Sequence, residues 1–436
     1  MIGSQQLENQ EQHEKKYQTK GYLTIYFSQV FSLMGSSVVS FALIWYLTVE
    51  TGSAVILSVG MFVGMVPMLI LAPFSGVLSD RVNKKLLLVL PDMLQAIAVI
   101  ILIYLFKTGQ IQIWHILVLL AVRGVAQAFQ MPPNMTLPAL MLPKDLIPRV
   151  NALNSILNSL IFIASPAIGA VVLGFMPMGD ILWIDVVTYL PAQIVLIFVS
   201  IPSVRNTIAN KVKTSFVKDF KEGFSYISHS GLMPLIITMA ILSLFVNPLF
   251  NLVPLFIKDV HLGGANELAI IEVAAQAGMF IGSIILLAKK VTPSFKGMNI
   301  AVLFLFVATL AMGLVPSGDM ISLAIIVFVI GLTISFTDVQ FLSLMQMIIP
   351  AELQGRVFSS VITMMKSSVP IGVIALGFLS DYYSVGLVFI AIPLIAIFMT
   401  IFLLLVSGVR ELDKRFNTGK YSKEVIKENL DNIVPT

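Results

Sequence analysis

The sequence predicts an all-α membrane protein of twelve transmembrane helices in two bundles of six, and three observations carry that prediction. Of 436 residues, 57% are hydrophobic and only 11% are charged, against ~25% charged in soluble domains. The apolar residues gather into stretches long enough to cross ~30 Å of hydrocarbon, which takes ~20 residues of helix. Strict apolar/polar alternation in ten-residue pieces, the mark of an outer-membrane barrel, is missing.

Breaks at Gly, Pro and charged residues divide the chain into spans at about 22–49, 54–78, 86–106, 113–131, 149–173, 181–201, 232–257, 267–288, 298–315, 320–341, 357–380 and 385–408. The first follows a polar head with Glu8, Glu11, Glu14, Lys15, Lys16 and Lys20. It is longer than a signal-peptide core and lacks a small-residue cleavage pattern, so it is expected to stay.

Orientation follows the distribution of Lys and Arg, which favour cytoplasmic loops. With the N-terminus inside, Arg81, Lys84, Lys85, Lys144, Arg149, the cluster from Arg205 to Lys221, Lys289, Lys290, Lys296, Arg356 and the basic tail all fall inside. Lys107 and Lys258 fall outside, beside acidic Glu50, Asp180, Asp259, Asp319 and Asp381. Both termini are therefore expected to be cytoplasmic. The longest hydrophilic interruption, 202–231, separates a tail (1–21) and first bundle (22–201) from a second bundle (232–408) and a tail (409–436).

Other chemistries have little raw material. Cysteine is absent and histidine occurs four times, as His13, His115, His229 and His261, which leaves no thiol nucleophile and little for zinc. No metal or cofactor is expected. The net charge of +4 is too dispersed for nucleic acid. An embedded acyltransferase would need a His/Asp/Ser centre, and no histidine has a suitable neighbour in its span, so an enzyme is not expected. A sensor without flux remains an alternative. No G-x-x-x-x-G-K-[S/T] loop is present, so ATP is not the driver.

Shifting the chain by 207 residues superimposes Gly124 on Gly331, Phe129 on Phe336, Pro143 on Pro350, Leu146 on Leu353, Arg149 on Arg356 and Val150 on Val357. The halves read as a duplication, the construction of many secondary transporters. The shared P-x-[D/E]-L-x-x-R-V lies in connections expected inside, where Arg149, Gly355 and Arg356 can cap helices or gate an inner mouth.

Between spans two and three lies Gly76-Val77-Leu78-Ser79-Asp80-Arg81-Val82-Asn83-Lys84-Lys85. It resembles the G-x-x-x-D-R-x-x-R-K loop of the major facilitator superfamily. Gln29-Val30-Phe31-Ser32, Thr51-Gly52-Ser53, Ala128-Phe129-Gln130-Met131-Pro132 and Gly355-Arg356-Val357-Phe358 resemble drug:proton antiporters of the macrolide-efflux and enterobactin-exporter type. Asn83 stands where the family usually has Gly, and Ser165 to Ala170 approximates its antiporter motif. The resemblance covers about 22–408 and implies the major facilitator fold, with the bundles related by pseudo-twofold symmetry. It implies a gate at Gly76, Asp80, Arg81, Lys84 and Lys85, and a cavity lined by spans one, four, seven and ten.

Six ionisable residues fall within spans: Asp92, Arg123, Asp185, Glu272, Asp338 and Lys366. Each central charge costs ~2.5–3.5 kcal/mol on insertion scales, so each is expected to face a cavity or a partner. Arg123, Asp185, Glu272, Asp338 and Asp92 are the candidates for proton coupling. Asp92 and Asp338, nearer the cytoplasmic ends, also read as helix-end or latch residues, and Lys366 as a partner for Asp338. Polar stripes mark span one (Gln29, Ser32, Ser36, Ser40) and span five (Asn151, Asn154, Asn158). Gln29, Gln127, Phe129, Asn247, Asn251, Gln276 and Lys366 are the candidates for a substrate cavity.

The expected function is export of amphipathic, drug- or macrolide-like molecules across the cell membrane by proton antiport and alternating access, by a functional monomer. A siderophore-like substrate, or a sodium-coupled or uncoupled carrier, is the alternative. One proton entering down the potential releases ~2.3 kcal/mol per 100 mV. At ~1.4 kcal/mol per tenfold, that supports a gradient of roughly fortyfold.

Overall fold

In a computed structural model the described residues are 2–143, 145–201, 224–228, 232–288, 293–349 and 351–406, and they contain helices and no strands. The helices are α1 (Ile2–Thr51), α2 (Ala54–Arg81), α3 (Lys84–Lys107), α4 (Ile113–Met141), α5 (Ile147–Phe175) and α6 (Met178–Phe198). Then come α7 (Met233–Asn251), α8 (Val253–Asp259), α9 (Ala265–Ala288), α10 (Phe295–Gly313), α11 (Met320–Ile348), α12 (Ala351–Tyr383) and α13 (Val385–Val406). Twelve of them, all but α8, have the length and apolar character of membrane spans. The linker and tail lysines and arginines lie outside the described residues.

Local chemistry sets the ends. Asn83 caps α3 by accepting from the Lys85 amide at 2.9 Å, Ser294 caps α10 through the Gly297 amide at 2.9 Å, and Asp319 caps α11 through Ser322 at 3.1 Å. Each satisfies an amide that has no partner within its own helix. Asn83 therefore has a structural role at its position in the loop.

Among the expected boundaries that change, two involve proline. The stretch 232–257 is not one span: it breaks at Leu252 into α7 and α8. Pro254 has no N–H to offer the Phe250 carbonyl, and its ring crowds that turn, so α8 starts afresh with proline near its first position. In the other direction, α4 continues ten residues past 131 to Met141, through Pro132, Pro133 and Pro138. Neighbouring helices tolerate prolines in membrane spans in this way.

The chain divides into two compact units, one of Met1–Glu50 with Gly60–Lys211, the other of Thr51–Val59 with Val212–Thr436. In the first, α3 packs on α4 and α6. A Cβ at Gly124 of α4 would collide with the Gly64 carbonyl of α2, and one at Gly169 of α5 would lie 2.7 Å from the Phe41 ring of α1. In the second, α10 packs on α11 and α13. Gly331 of α11 lies against the Ala275 carbonyl of α9, and Gly372 of α12 against the Leu244 carbonyl of α7. Gly124 and Gly331, superimposed by the 207-residue shift, thus do the same steric work in their respective units. Small residues at such crossings let helix backbones approach where lipid offers no hydrophobic drive.

Candidate functional site

The most polar part of the first unit is assembled from four helices, and a close approach prepares it. A side chain at Gly35 of α1 would collide with the Thr188 hydroxyl of α6, so α1 lies hard against α6 here. The next residue, Ser36, then donates to Asp185 Oδ1 at 2.5 Å. Arg123 of α4 completes the group. One nitrogen lies 2.5 Å from Asp185 Oδ2 and another donates to Ser40 Oγ at 2.7 Å. Ser40 in turn donates to the Ser36 carbonyl at 2.7 Å. With 16% and 11% of the Arg123 and Asp185 side chains exposed, the pair is largely withdrawn from solvent. Such a pair stands only when its remaining hydrogen-bonding positions are filled, and the serine stripe of α1 fills them. Arg123, Asp185, Ser36 and Ser40, read separately from the sequence, form one network.

A second centre sits beside it. Asp92 of α3 accepts from Gln193 of α6 at 2.6 Å, from Gln130 of α4, and from Gln95 one turn along at 3.4 Å. It is a mid-helix carboxylate held by amides, not the helix-end group its place in the sequence suggested. Between the two centres lies a small cavity of ≈ 40 Å³, lined by Ser32, Ser36, Asp92, Gln95, Asp185 and Tyr189 among others. At ~10–15 Å³ per water it has room for about three. The Tyr189 hydroxyl and the Gln193 amide oxygen are buried there or close by without a hydrogen-bond partner. Gln130 and Gln193 were not singled out from sequence, although Asp185, Tyr189 and Gln193 repeat at four-residue spacing along one face of α6.

Other expected site residues have different surroundings. The side chains of Gly76, Asp80, Arg81, Gly355 and Arg356 lie outside the described residues, and Arg149 is exposed. Lys84 reaches the Ser79 carbonyl at 3.4 Å. Lys85 donates to the carbonyls of Ile197 at 2.5 Å and Val199 at 3.3 Å, closing the C-terminus of α6, where a cation complements the helix dipole. Gln29 and Phe129 are half-buried and Gln127 is exposed. In the asparagine stripe of α5, Asn154 accepts from the Tyr26 hydroxyl at 3.3 Å and from Asn158 at 3.1 Å, which ties α5 to α1.

In the second unit the candidates do not converge. Glu272 and Gln276 are half-buried on α9. Asn247 of α7, Asp338 of α11 and Lys366 of α12 are exposed. The expected Asp338–Lys366 ion pair is not formed: among the described residues the ion pairs are Lys107–Asp180, Arg123–Asp185 and Lys258–Asp259. The acid and the base sit on different helices, α11 and α12, and how those helices face each other is invisible to span counting. The Asn251 amide nitrogen is buried without a partner. Asp381, read only as an outer acid, has a defined task. It accepts from the Ala54 amide and the Ser53 hydroxyl, each at 2.6 Å, and from the Val55 amide at 3.4 Å, so it caps α2 from the end of α12.

A bundle of membrane-spanning helices whose interior holds a largely buried ion pair and an amide-bound carboxylate has the character of a membrane carrier. Residues 25–372 match the Major Facilitator Superfamily, and the chain belongs to that family. It is a multi-pass membrane protein. It is 26% identical over 394 residues to macrolide efflux protein A of Streptococcus pyogenes, covering 90% of this chain and 97% of that one. It is 22% identical over 405 residues to the multidrug efflux pump Tap of Mycolicibacterium fortuitum, again covering 90% and 97%. Among solved structures it resembles an inward-facing bacterial homologue of the iron transporter ferroportin (TM-score 0.65, 16% identity, 88% of this chain and 98% of that one). The nucleoside transporter NupG is similar at TM-score 0.66, 12% identity and the same coverage. At these identities the structural likeness establishes the fold.

Proposed function

We propose that the chain exports amphipathic, macrolide-like small molecules across the cell membrane in exchange for protons, by alternating access, with both termini cytoplasmic and the monomer as the working unit. The observation that carries this reading is the Arg123–Asp185 pair with its neighbouring Asp92, built into membrane helices around a small cavity. Ionised groups at that depth cost several kcal/mol that an apolar scaffold would not. Resemblance to macrolide efflux protein A supports the substrate class, and the absence of a nucleotide-binding loop supports an ion gradient as the driver. Exposed Gln127, Asn247, Asp338 and Lys366 need a polar phase within the spans, as a substrate pathway provides. Asp80, Arg81, Lys84, Arg149 and Arg356 belong in this reading to the inner gate, and Glu272 stays a candidate for coupling.

The test is uptake of erythromycin into inverted membrane vesicles under an imposed pH gradient. Wild-type vesicles should accumulate the compound, and collapsing the gradient should stop it. Arg123→Ala should lower gradient-driven uptake by at least about tenfold, one decade per ~1.4 kcal/mol of lost coupling. Uptake that follows a sodium gradient, or Arg123→Ala vesicles that accumulate as the wild type does, would overturn the reading.

A further inference from the structure

Of the two carboxylates at the cavity, one already has its charge balanced and the other does not. Asp185 is bound by Arg123 at 2.5 Å and by Ser36 at 2.5 Å, so a proton arriving on it would have to displace a guanidinium. Asp92 has no such competitor. Its partners are neutral amides, Gln193 at 2.6 Å, Gln130 and Gln95. The titratable or charged groups that face it are Asp185 and Tyr189 of α6, with Arg123 of α4 engaged by Asp185, while α1 contributes only the hydroxyls of Ser32 and Ser36 to the shared cavity.

The amides also suit both charge states of that carboxyl. A carboxylate accepts hydrogen bonds only, and a carboxylic acid must in addition donate one. Gln193 gives Asp92 its NH2 group while its own amide oxygen, buried in a residue only 6% exposed, has no partner. Rotation of that amide by half a turn would present the oxygen to a protonated Asp92. A carboxyl facing such a reversible amide keeps a matched hydrogen-bond partner for its own oxygen in both protonation states, which favours switching in a low-dielectric interior.

We infer that Asp92 is the proton-carrying acid of this transporter, that Gln193 is the positioning residue that serves it in both protonation states, and that the Arg123–Asp185 pair is a fixed charge frame beside it. The inference rests on the proton-antiport reading above. In the step itself a proton from cavity water adds to an Asp92 oxygen, the Gln193 amide turns from donor to acceptor, and release to the opposite compartment reverses both. Helical rise of ~1.5 Å per residue puts Asp92 about 12 Å from the Lys84 end of α3, well within the span.

The test reads the carboxyl directly. Purified protein in lipid, titrated with pH and followed by infrared difference spectroscopy, should show a protonated-carboxyl C=O band that disappears in Asp92→Asn and persists in Asp185→Asn. Gln193→Leu, which leaves the acid in place, should move the midpoint of that band by about one pH unit, a tenfold change in proton affinity. A band untouched by Asp92→Asn would overturn the assignment, and a midpoint unmoved in Gln193→Leu would overturn the role of the amide. Erythromycin uptake by the same proteins separates the two levels. If Asp92 titrates as described while wild-type uptake ignores the pH gradient, antiport fails and the acid assignment stands. If wild-type uptake follows the gradient and Asp92→Asn retains it, the acid assignment fails and antiport stands.

Discussion

At the scale of single residues, burial without a partner separates His261 from His115. Its side chain is 2% exposed, neither ring nitrogen has a hydrogen-bond partner, and the ring lies edge-on to Phe256 with centroids 4.9 Å apart. Phe256 is stacked on Phe389 at 4.2 Å. Burial holds this imidazole below its usual value of 6.5, and nearby Asp319 opposes that shift in part. The unfolded chain therefore binds the proton more readily than the native one, so the neutral form stabilises the fold above about pH 6.5, and that contribution falls away as pH drops from there toward the lowered native value. Thermal unfolding of the purified protein should lose stability between about pH 6.5 and 5, and His261→Phe should flatten that part of the profile. An identical slope in the variant would refute it. His115, by contrast, accepts from the Gln112 amide at 2.9 Å and belongs to the cap of α4. Nothing in the sequence distinguishes the two, because burial is a property of what packs around them.

At the scale of elements, helix ends explain residues that the sequence had placed only by charge or within a motif. Asn83, Lys85 and Asp381 all satisfy backbone groups that a helix leaves open at its termini. Asp381 is the most informative, since two of its acceptor contacts are to the first amides of α2, 327 and 326 residues away in sequence. Removing such a cap costs ~1 kcal/mol, which is about a fivefold change in a local opening equilibrium. Hydrogen exchange at Ala54 and Val55 should therefore quicken by about that factor in Asp381→Ala, with Asp381→Asn intermediate. Unchanged exchange at those amides would remove the cap. Twelve spans were legible because apolar length alone determines them. The break between α7 and α8 is not legible from proline alone: Pro248 lies within α7 and Pro254 near the start of α8, but a proline can kink, be absorbed or end a helix, and α4 absorbs three of them.

At the scale of the molecule, each unit repeats one packing scheme: α3 with α4 and α6, then α10 with α11 and α13. The glycine crossings at Gly124 and Gly331 do the same, which gives the internal repeat a structural meaning. The proposed orientation, with both termini cytoplasmic, rests on lysine and arginine placement, and the chain's lack of cysteine makes it directly testable. A cysteine introduced as Gln110→Cys, in the exposed turn after α3, should react with an impermeant maleimide in intact cells. One introduced as Asn83→Cys should react only after permeabilisation. The reverse pattern would place both termini on the outside.

The sequence by itself determined the solvent of this protein, its number of spans, its duplication and its family, since each depends on composition or on motifs contiguous along the chain. It also named Arg123, Asp185 and Asp92 as costly charges. Only the tertiary structure decided which of them meet. Arg123 and Asp185 are 62 residues apart and Asp92 and Gln193 are 101 apart, and whether such residues touch depends on how α1, α3, α4 and α6 rotate about their own axes as they pack. That rotation is set by glycine contacts such as Gly35 on Thr188, a fit between surfaces that a linear pattern of residues does not encode.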